Sequence, residues 1–279
     1  FHQLYAMTES SGATAVDPTG ARNPKSSGLR VPYLEIAIRP FGPEAGVLTK
    51  AAGQSGEIML RGPQLFAGYT DPERNIGVIE EGWLHSGDLG HFDEAGWLFV
   101  TGRVKEVIIR GGHNIDPAGI EEVAAAHPAV QDCIAVGRLD SHAGEVPVLF
   151  VTLKPSAKAL PEDIRQFVWD RISERPARPK TVTILPQLPT TAVGKIQRQE
   201  LKRVAAEQGV RAMLESHERG DGAEVAATLN GDGRLKIEIR LAADRPIGAQ
   251  VRQSLEDDLE RLAAWVDLRL PDGTDWSNQ

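Results

Sequence analysis

The chain has 279 residues, 41% hydrophobic and 25% charged, the balance of a soluble globular protein long enough for two or three modest cores. A formal net charge of -8 argues against nonspecific affinity for DNA or anionic membranes, so an anionic ligand has to be met by locally placed Lys, Arg and backbone N–H groups. No window approaches the roughly 18 uninterrupted apolar residues of a membrane helix, and no signal-peptide pattern opens the chain.

The first hundred residues alternate in short runs, Tyr33-Leu-Glu-Ile-Ala-Ile38, Gly56-Glu-Ile-Met-Leu60 and Gly96-Trp-Leu-Phe-Val100, separated by Pro- and Gly-rich turns. This is the pattern of small antiparallel sheets. From Lys105 the texture changes. Strand-like Glu106-Val-Ile-Ile109 and Cys133-Ile-Ala-Val136 flank a helix predicted to begin at Asp116-Pro117, with Asp116 as N-cap, Pro117 in the first turn, and Glu121 and Glu122 near the positive end of the dipole. A strand over 146–153 follows. A second helix then starts near Pro161, its buried stripe made by Ile164, Phe167, Val168 and Ile172. Lys180-Thr-Val-Thr-Ile-Leu185 reads as a strand, residues 198–208 as a helix and 216–222 as a linker. The tail alternates over 225–229 and 235–241 about the turn Asn230-Gly-Asp-Gly233, then gives a helix over 248–264 and a strand over 265–270, a ββαβ unit with no legible chemistry. The fold class expected is α+β.

Cys133, the one cysteine, lies in an apolar run and reads as a buried small hydrophobe; a reducing, cytoplasmic setting is the expectation. The seven histidines show no paired ligand spacing. Ser86-Gly87 lacks the strand-elbow-helix setting of a hydrolase nucleophile.

Three polar, glycine-punctuated segments stand out in fixed order: Gly82-Trp-Leu-His-Ser-Gly-Asp-Leu-Gly90, Thr101-Gly-Arg-Val-Lys-Glu-Val-Ile-Ile-Arg-Gly-Gly-His-Asn-Ile115 and Leu188-Pro-Thr-Thr-Ala-Val-Gly-Lys-Ile-Gln197. With Tyr5-Ala-Met-Thr-Glu9 at the start, they resemble the nucleotide-handling half of adenylate-forming (AMP-binding, acyl-activating) enzymes, most closely the acyl-CoA synthetases. The resemblance covers residues 1 to about 207. It implies the β-rich end of a large AMP-binding domain over 1–103, a small mobile α+β lid over 104–207 and an extension over 223–279.

The resemblance also implies roles. Thr8 bonds a phosphate oxygen, and Glu9 holds Mg²⁺, a hard cation satisfied by one or two carboxylates plus phosphate and water. Ala6 stands where the family usually has Gly. Tyr5 belongs to the nucleotide-binding set, Asp88 accepts from the ribose hydroxyls, and Arg103 donates to the same ribose. Lys105 is the hinge. Arg110, Gly111, Gly112 and His113 line the path of CoA, and Lys195 offsets repulsion between the substrate carboxylate and a phosphate. The implied reaction takes a carboxylic acid, ATP and CoA to acyl-CoA, AMP and pyrophosphate through an acyl-adenylate. Its partners are small molecules, without nucleic acid or an integral membrane segment, and with room for a homo-oligomer. Loading of a carrier protein, or a non-catalytic nucleotide- or CoA-binding module, stay open as alternatives. The family's Ser/Thr/Gly-rich phosphate loop and the aromatic segments of its acyl pocket are not found within these residues. The expectation is therefore an N-terminally truncated portion that is inactive alone.

Overall fold

A computed structural model describes residues 2–41, 46–192, 194–217, 223–229, 235–240, 249–263 and 267–269. The chain divides into two compact units, residues 1–106 and 107–279.

In the first unit, β1 (Leu4–Met7), β2 (Gly12–Val16) and β3 (Leu29–Arg30) make a small antiparallel sheet. A second, five-stranded sheet runs β4 (Glu35–Pro40), β5 (Gly56–Arg61), β7 (Trp83–Phe92), with the short β6 (Ile79–Glu80) and then β8 (Leu98–Arg103) along the far side of β7. Ile36, Ile38, Ile58, Leu60, Leu84 and Leu98 are buried in one core, against which Tyr5 and Phe66 pack. The alternating runs thus became strands, with shifted ends. Tyr33 lies before β4 at φ 65° and Gly96 before β8 at φ 81°, so both belong to turns.

The second unit begins with the hairpin β9 (Ile108–Arg110) and β10 (His113–Ile115). The sequence places a strand from Glu106; instead Val104–Glu106 is a 3₁₀ turn that ends the first unit. Next come α1 (Pro117–Ala125), β11 (Val130–Asp140), β12 (Gly144–Leu153), α2 (Pro161–Trp169) and β13 (Thr181–Ile184). Asp116 caps α1 as expected, its carboxylate accepting from Ala118 N–H at 2.9 Å. Glu121 and Glu122, expected near the positive end of the dipole, both lie beyond the first turn of α1, and Glu121 instead pairs with Arg198. β12 is the middle of its sheet, pairing β9 and β11 antiparallel and β13 parallel. That explains its continuous apolar run, since both faces are covered. Leu149 and Val151 meet Ile120 of α1 and Ile164 and Val168 of α2, while Val148 and Phe150 meet Leu201 and Ala205 of the next helix.

That helix, α3 (Arg198–Ser216), runs eight residues past the expected end at Gln208. Gly209, the first residue past that expected end, sits inside the helix because a Cβ there would lie 2.5 Å from the Leu139 carbonyl; the glycine lets α3 pack closely on β11. Beyond it, Val210, Met213 and Leu214 share a core with Val225, Ile237 and Leu259 of the tail. The tail has the expected order, β14 (Glu224–Leu229), β15 (Leu235–Arg240), α4 (Ala249–Ala263) and β16 (Asp267–Arg269), with β15 and β16 parallel. α3 also covers the free edge of β14: Arg211 donates to the Ala223 and Val225 carbonyls, and Glu207 accepts from Ala227 N–H. The expected turn over 230–233 and most of the linker over 216–222 lie outside the described residues. No helix among the described residues is long and apolar enough to cross a membrane.

Candidate active site

The strand register of the first unit brings two of the expected residues together, and a third, Tyr5 of the small sheet, reaches them through its side chain. Asp88 on β7 stands opposite Arg103 on β8. Its carboxylate is gripped from two sides, Tyr5 Oη donating to Oδ2 at 2.6 Å and Arg103 Nε pairing with Oδ1 at 2.8 Å. Asp88 is 6% exposed, whereas the Arg103 side chain is 66% exposed, so the guanidinium also faces solvent. Each carboxylate oxygen keeps a lone pair, which is what a vicinal diol needs from one acceptor. Burial, then the hydrogen bond to Asp88 and its charge, push the Tyr5 phenol well above its ordinary range, so Tyr5 remains a donor.

Glu9 and Thr8 lie on the 3₁₀ turn Thr8–Ser10 that follows β1, with Thr8 exposed. Glu9 Oε1 accepts from Tyr69 Oη at 2.5 Å, and its backbone carbonyl accepts from Phe66 N–H at 2.8 Å. The Tyr69 hydrogen bond holds the Glu9 carboxyl below the usual carboxylate range and in turn raises the Tyr69 phenol. Tyr69 is itself fixed, edge-on to Phe66 and beneath the Arg74 guanidinium at 4.5 Å. Tyr69 is not among the site residues expected from sequence. An aromatic within the Gly- and Pro-containing loop Gly68-Tyr-Thr-Asp-Pro72 was the available signal.

Lys105 is exposed in the 3₁₀ turn Val104–Glu106, which ends at the boundary between the units. In the second unit, Gly111 and Gly112 have φ 54° and 82° and form the two-residue turn of the β9–β10 hairpin. Positive φ at both positions is the requirement of a type I′ turn. Gly111, Gly112 and His113 are exposed. Arg110 is half-buried, with Nη1 given to the Pro176 carbonyl at 2.8 Å, so part of its donor capacity is already used.

Lys195 is exposed on a loop closed on itself: Thr191 N–H donates to the Lys195 carbonyl at 2.8 Å, Lys195 N–H to Thr191 Oγ1 at 3.2 Å, and Thr190 bridges Ile196. The side chain is not locked into the unit's core. Cys133 is half-buried and inert, its thiol pushed up to about 11 by burial and by the charges of Glu121 and Asp132. No cluster of three or more His, Cys, Asp or Glu suited to a metal occurs among the described residues.

Residues 1–70 match the family model for the AMP-binding enzyme, and residues 119–195 match that for the AMP-binding enzyme C-terminal domain. The chain is 34% identical over 264 residues to a marinolic acid–CoA ligase of Pseudoalteromonas sp. (strain SANK 73390), an alignment covering 92% of this chain and 40% of the relative. At that coverage it reaches into the ββαβ tail. A long-chain-fatty-acid–CoA ligase of Bacillus subtilis (strain 168) is 38% identical over 199 residues, 71% of this chain and 35% of the relative. The crystal structure of ATP-bound MatB from Rhodopseudomonas palustris superposes with a TM-score of 0.67 at 26% identity, covering 75% of this chain and 41% of that one. The chain thus spans about 40% of the length of the proteins it matches. Two matched domains in the family's order, with Tyr5 inside the first and its partners Asp88 and Arg103 between the two in sequence, place the chain in the AMP-binding, adenylate-forming acyl-CoA synthetase superfamily.

Proposed function

We propose that the protein carrying this chain is an AMP-forming acid–thiol ligase, converting a carboxylic acid, ATP and CoA to acyl-CoA, AMP and pyrophosphate through an acyl-adenylate. The observation that carries the reading is the buried Asp88 carboxylate, held by Tyr5 and Arg103 with one lone pair left on each oxygen. Such an acceptor suits the ribose diol, and Arg103 donates to the same sugar. The names of the relatives, CoA ligases acting on organic acids, support CoA over a carrier protein as acyl acceptor.

Division of labour follows from charge. A carboxylate attacking a triphosphate brings two anions together, and the compact ammonium of Lys195 on its exposed loop would offset that repulsion. Thr8 would donate to a phosphate oxygen. A hard divalent cation fits Glu9, because the carboxylate is ionised, partly open and pinned by Tyr69 through one oxygen, and magnesium asks for one or two carboxylates alongside phosphate and water. Magnesium, when bound, would neutralise phosphate charge. We assign Lys105 as the hinge, Arg110, Gly111, Gly112 and His113 to the path of CoA, residues 1–103 to the large domain, 104–207 to the lid and 223–279 to the extension. A cytoplasmic setting, a fatty or other carboxylic acid as substrate and inactivity of these residues alone complete the proposal.

The test uses the natural full-length protein. Lys195→Ala should abolish ATP–pyrophosphate exchange and leave thioester formation from preformed acyl-AMP largely intact. Equal loss of both half-reactions would remove the assignment of Lys195 to adenylation. Pyrophosphate release above background by the 279 residues alone, given ATP and carboxylic acids, would overturn their inactivity.

A further inference from the structure

We propose that Glu57 is the positioning residue that aims Asp88 at the nucleotide ribose, by replacing the hydrogen bonding that the β5–β7 ladder loses at Gly87. The proposal rests on the reading of Asp88 as ribose acceptor.

Between the pairs Glu57↔Leu89 and Met59↔His85, β5 contributes one residue, Ile58, while β7 contributes three, Ser86, Gly87 and Asp88. β7 therefore bulges where Asp88 sits, and Gly87 adopts φ 70°. A bulge frees backbone groups, and a freed group has no fixed direction unless something binds it. Here Glu57 Oε1 accepts from Gly87 N–H at 3.3 Å, and Ser86 Oγ accepts from Asp88 N–H at 3.0 Å. The other Glu57 oxygen accepts from Arg39 Nη2 at 2.7 Å and faces His85 Nδ1 at 3.2 Å; His85 Nε2 lies 3.3 Å from Glu80.

Glu57 is 4% exposed on a strand whose next three residues, Ile58, Met59 and Leu60, are buried and apolar. Burying a carboxylate there carries a desolvation cost that an apolar side chain would avoid. What the carboxylate supplies is an acceptor at the bulge and a clamp, through His85 and Gly87, on the residues just before Asp88. Among the described residues Glu57 makes no hydrogen bond or ion pair with Tyr5 or Arg103, so its effect on nucleotide runs through the β7 backbone.

The experiment compares ATP with 2′,3′-dideoxy-ATP, which lacks the hydroxyls Asp88 would bind, in full-length wild type, Glu57→Gln and Asp88→Ala. Losing a charged acceptor should raise the Kd for ATP about tenfold in Glu57→Gln. Dideoxy-ATP should bind wild type and Glu57→Gln alike, and thioester formation from preformed acyl-AMP should keep its kcat. Equal weakening of both nucleotides, or unchanged ATP binding, overturns the proposal, because a merely structural role cannot depend on the ribose hydroxyls. If Asp88→Ala still separates the two nucleotides as wild type does, the ribose reading itself fails and the proposal with it. Should Glu57→Gln not fold, Arg39→Gln at the half-exposed end of the clamp decides by the same comparison: ATP-selective weakening supports the proposal, and its absence overturns it.

Discussion

Arg198 and Glu121, 77 residues apart in the chain, form a two-point ion pair, Nη1 to Oε1 at 2.6 Å and Nη2 to Oε2 at 3.2 Å. Arg198 opens α3 three residues after Lys195, and Nη1 also reaches the Ala135 carbonyl at 2.8 Å. Glu121 completes the ring by accepting from Ala135 N–H at 2.8 Å. The base of the Lys195 loop is thereby tied at once to α1 and to β11.

Breaking one half of that pair leaves a partly buried charge unmatched. Arg198→Met should cost about 2 kcal/mol of stability, and it should slow adenylation more than thioester formation. The double variant Arg198→Met/Glu121→Gln should recover part of the loss, because the stranded carboxylate is gone. Urea titration with the two half-reactions measured separately checks this; additive losses would deny the coupling.

Tyr5 makes stability depend on pH at the alkaline end. Its phenol is raised above the ordinary value of about 10, so the folded chain holds that proton more tightly than the unfolded chain. The resulting stability is complete below that value and is lost as pH rises through the folded one. Tyr5→Phe should cost about 1 kcal/mol near pH 7, and its stability curve should fall less steeply than wild type above pH ~10. Parallel curves would show that Tyr5 is not held as a donor to Asp88.

Glu9 responds at the acid end. The Tyr69 hydroxyl keeps its carboxyl ionised to lower pH than usual, so removing the hydroxyl lets the proton on earlier. Tyr69→Phe should move the acidic limb of the ATP–pyrophosphate exchange profile to higher pH and raise the magnesium requirement about fivefold. An unchanged limb would separate Glu9 from the metal.

Gly112→Ala places a Cβ where φ is 82°, at a cost of about 1 kcal/mol for the left-handed conformation. Nothing lies within 4 Å of that Cβ, so the cost is local to the turn. The KM for CoA should rise while ATP–pyrophosphate exchange holds. Loss of exchange with no change in CoA would detach this hairpin from the thiol.

Much of this protein was legible in one dimension, because the determining physics is local. Asp116-Pro117 announces a helix start through capping and a preset φ, and the alternating and continuous apolar runs announce half-buried and fully buried strands. The motifs around Asp88, Arg103 and Lys195 carried the family with them. Tertiary structure alone decided the rest, since it depends on what the fold brings close. The expected helix end at Gln208 fails because Gly209 is a packing site inside α3, and only the approach of β11 reveals the missing Cβ as necessary. Glu121 reads as a dipole partner and belongs to Arg198, 77 residues away. Glu57 carries no local signature of its task and Tyr69 only that of an aromatic in a Gly- and Pro-containing loop, because each acts through a neighbour, Gly87 or Glu9, that only the sheet register and loop path set beside it.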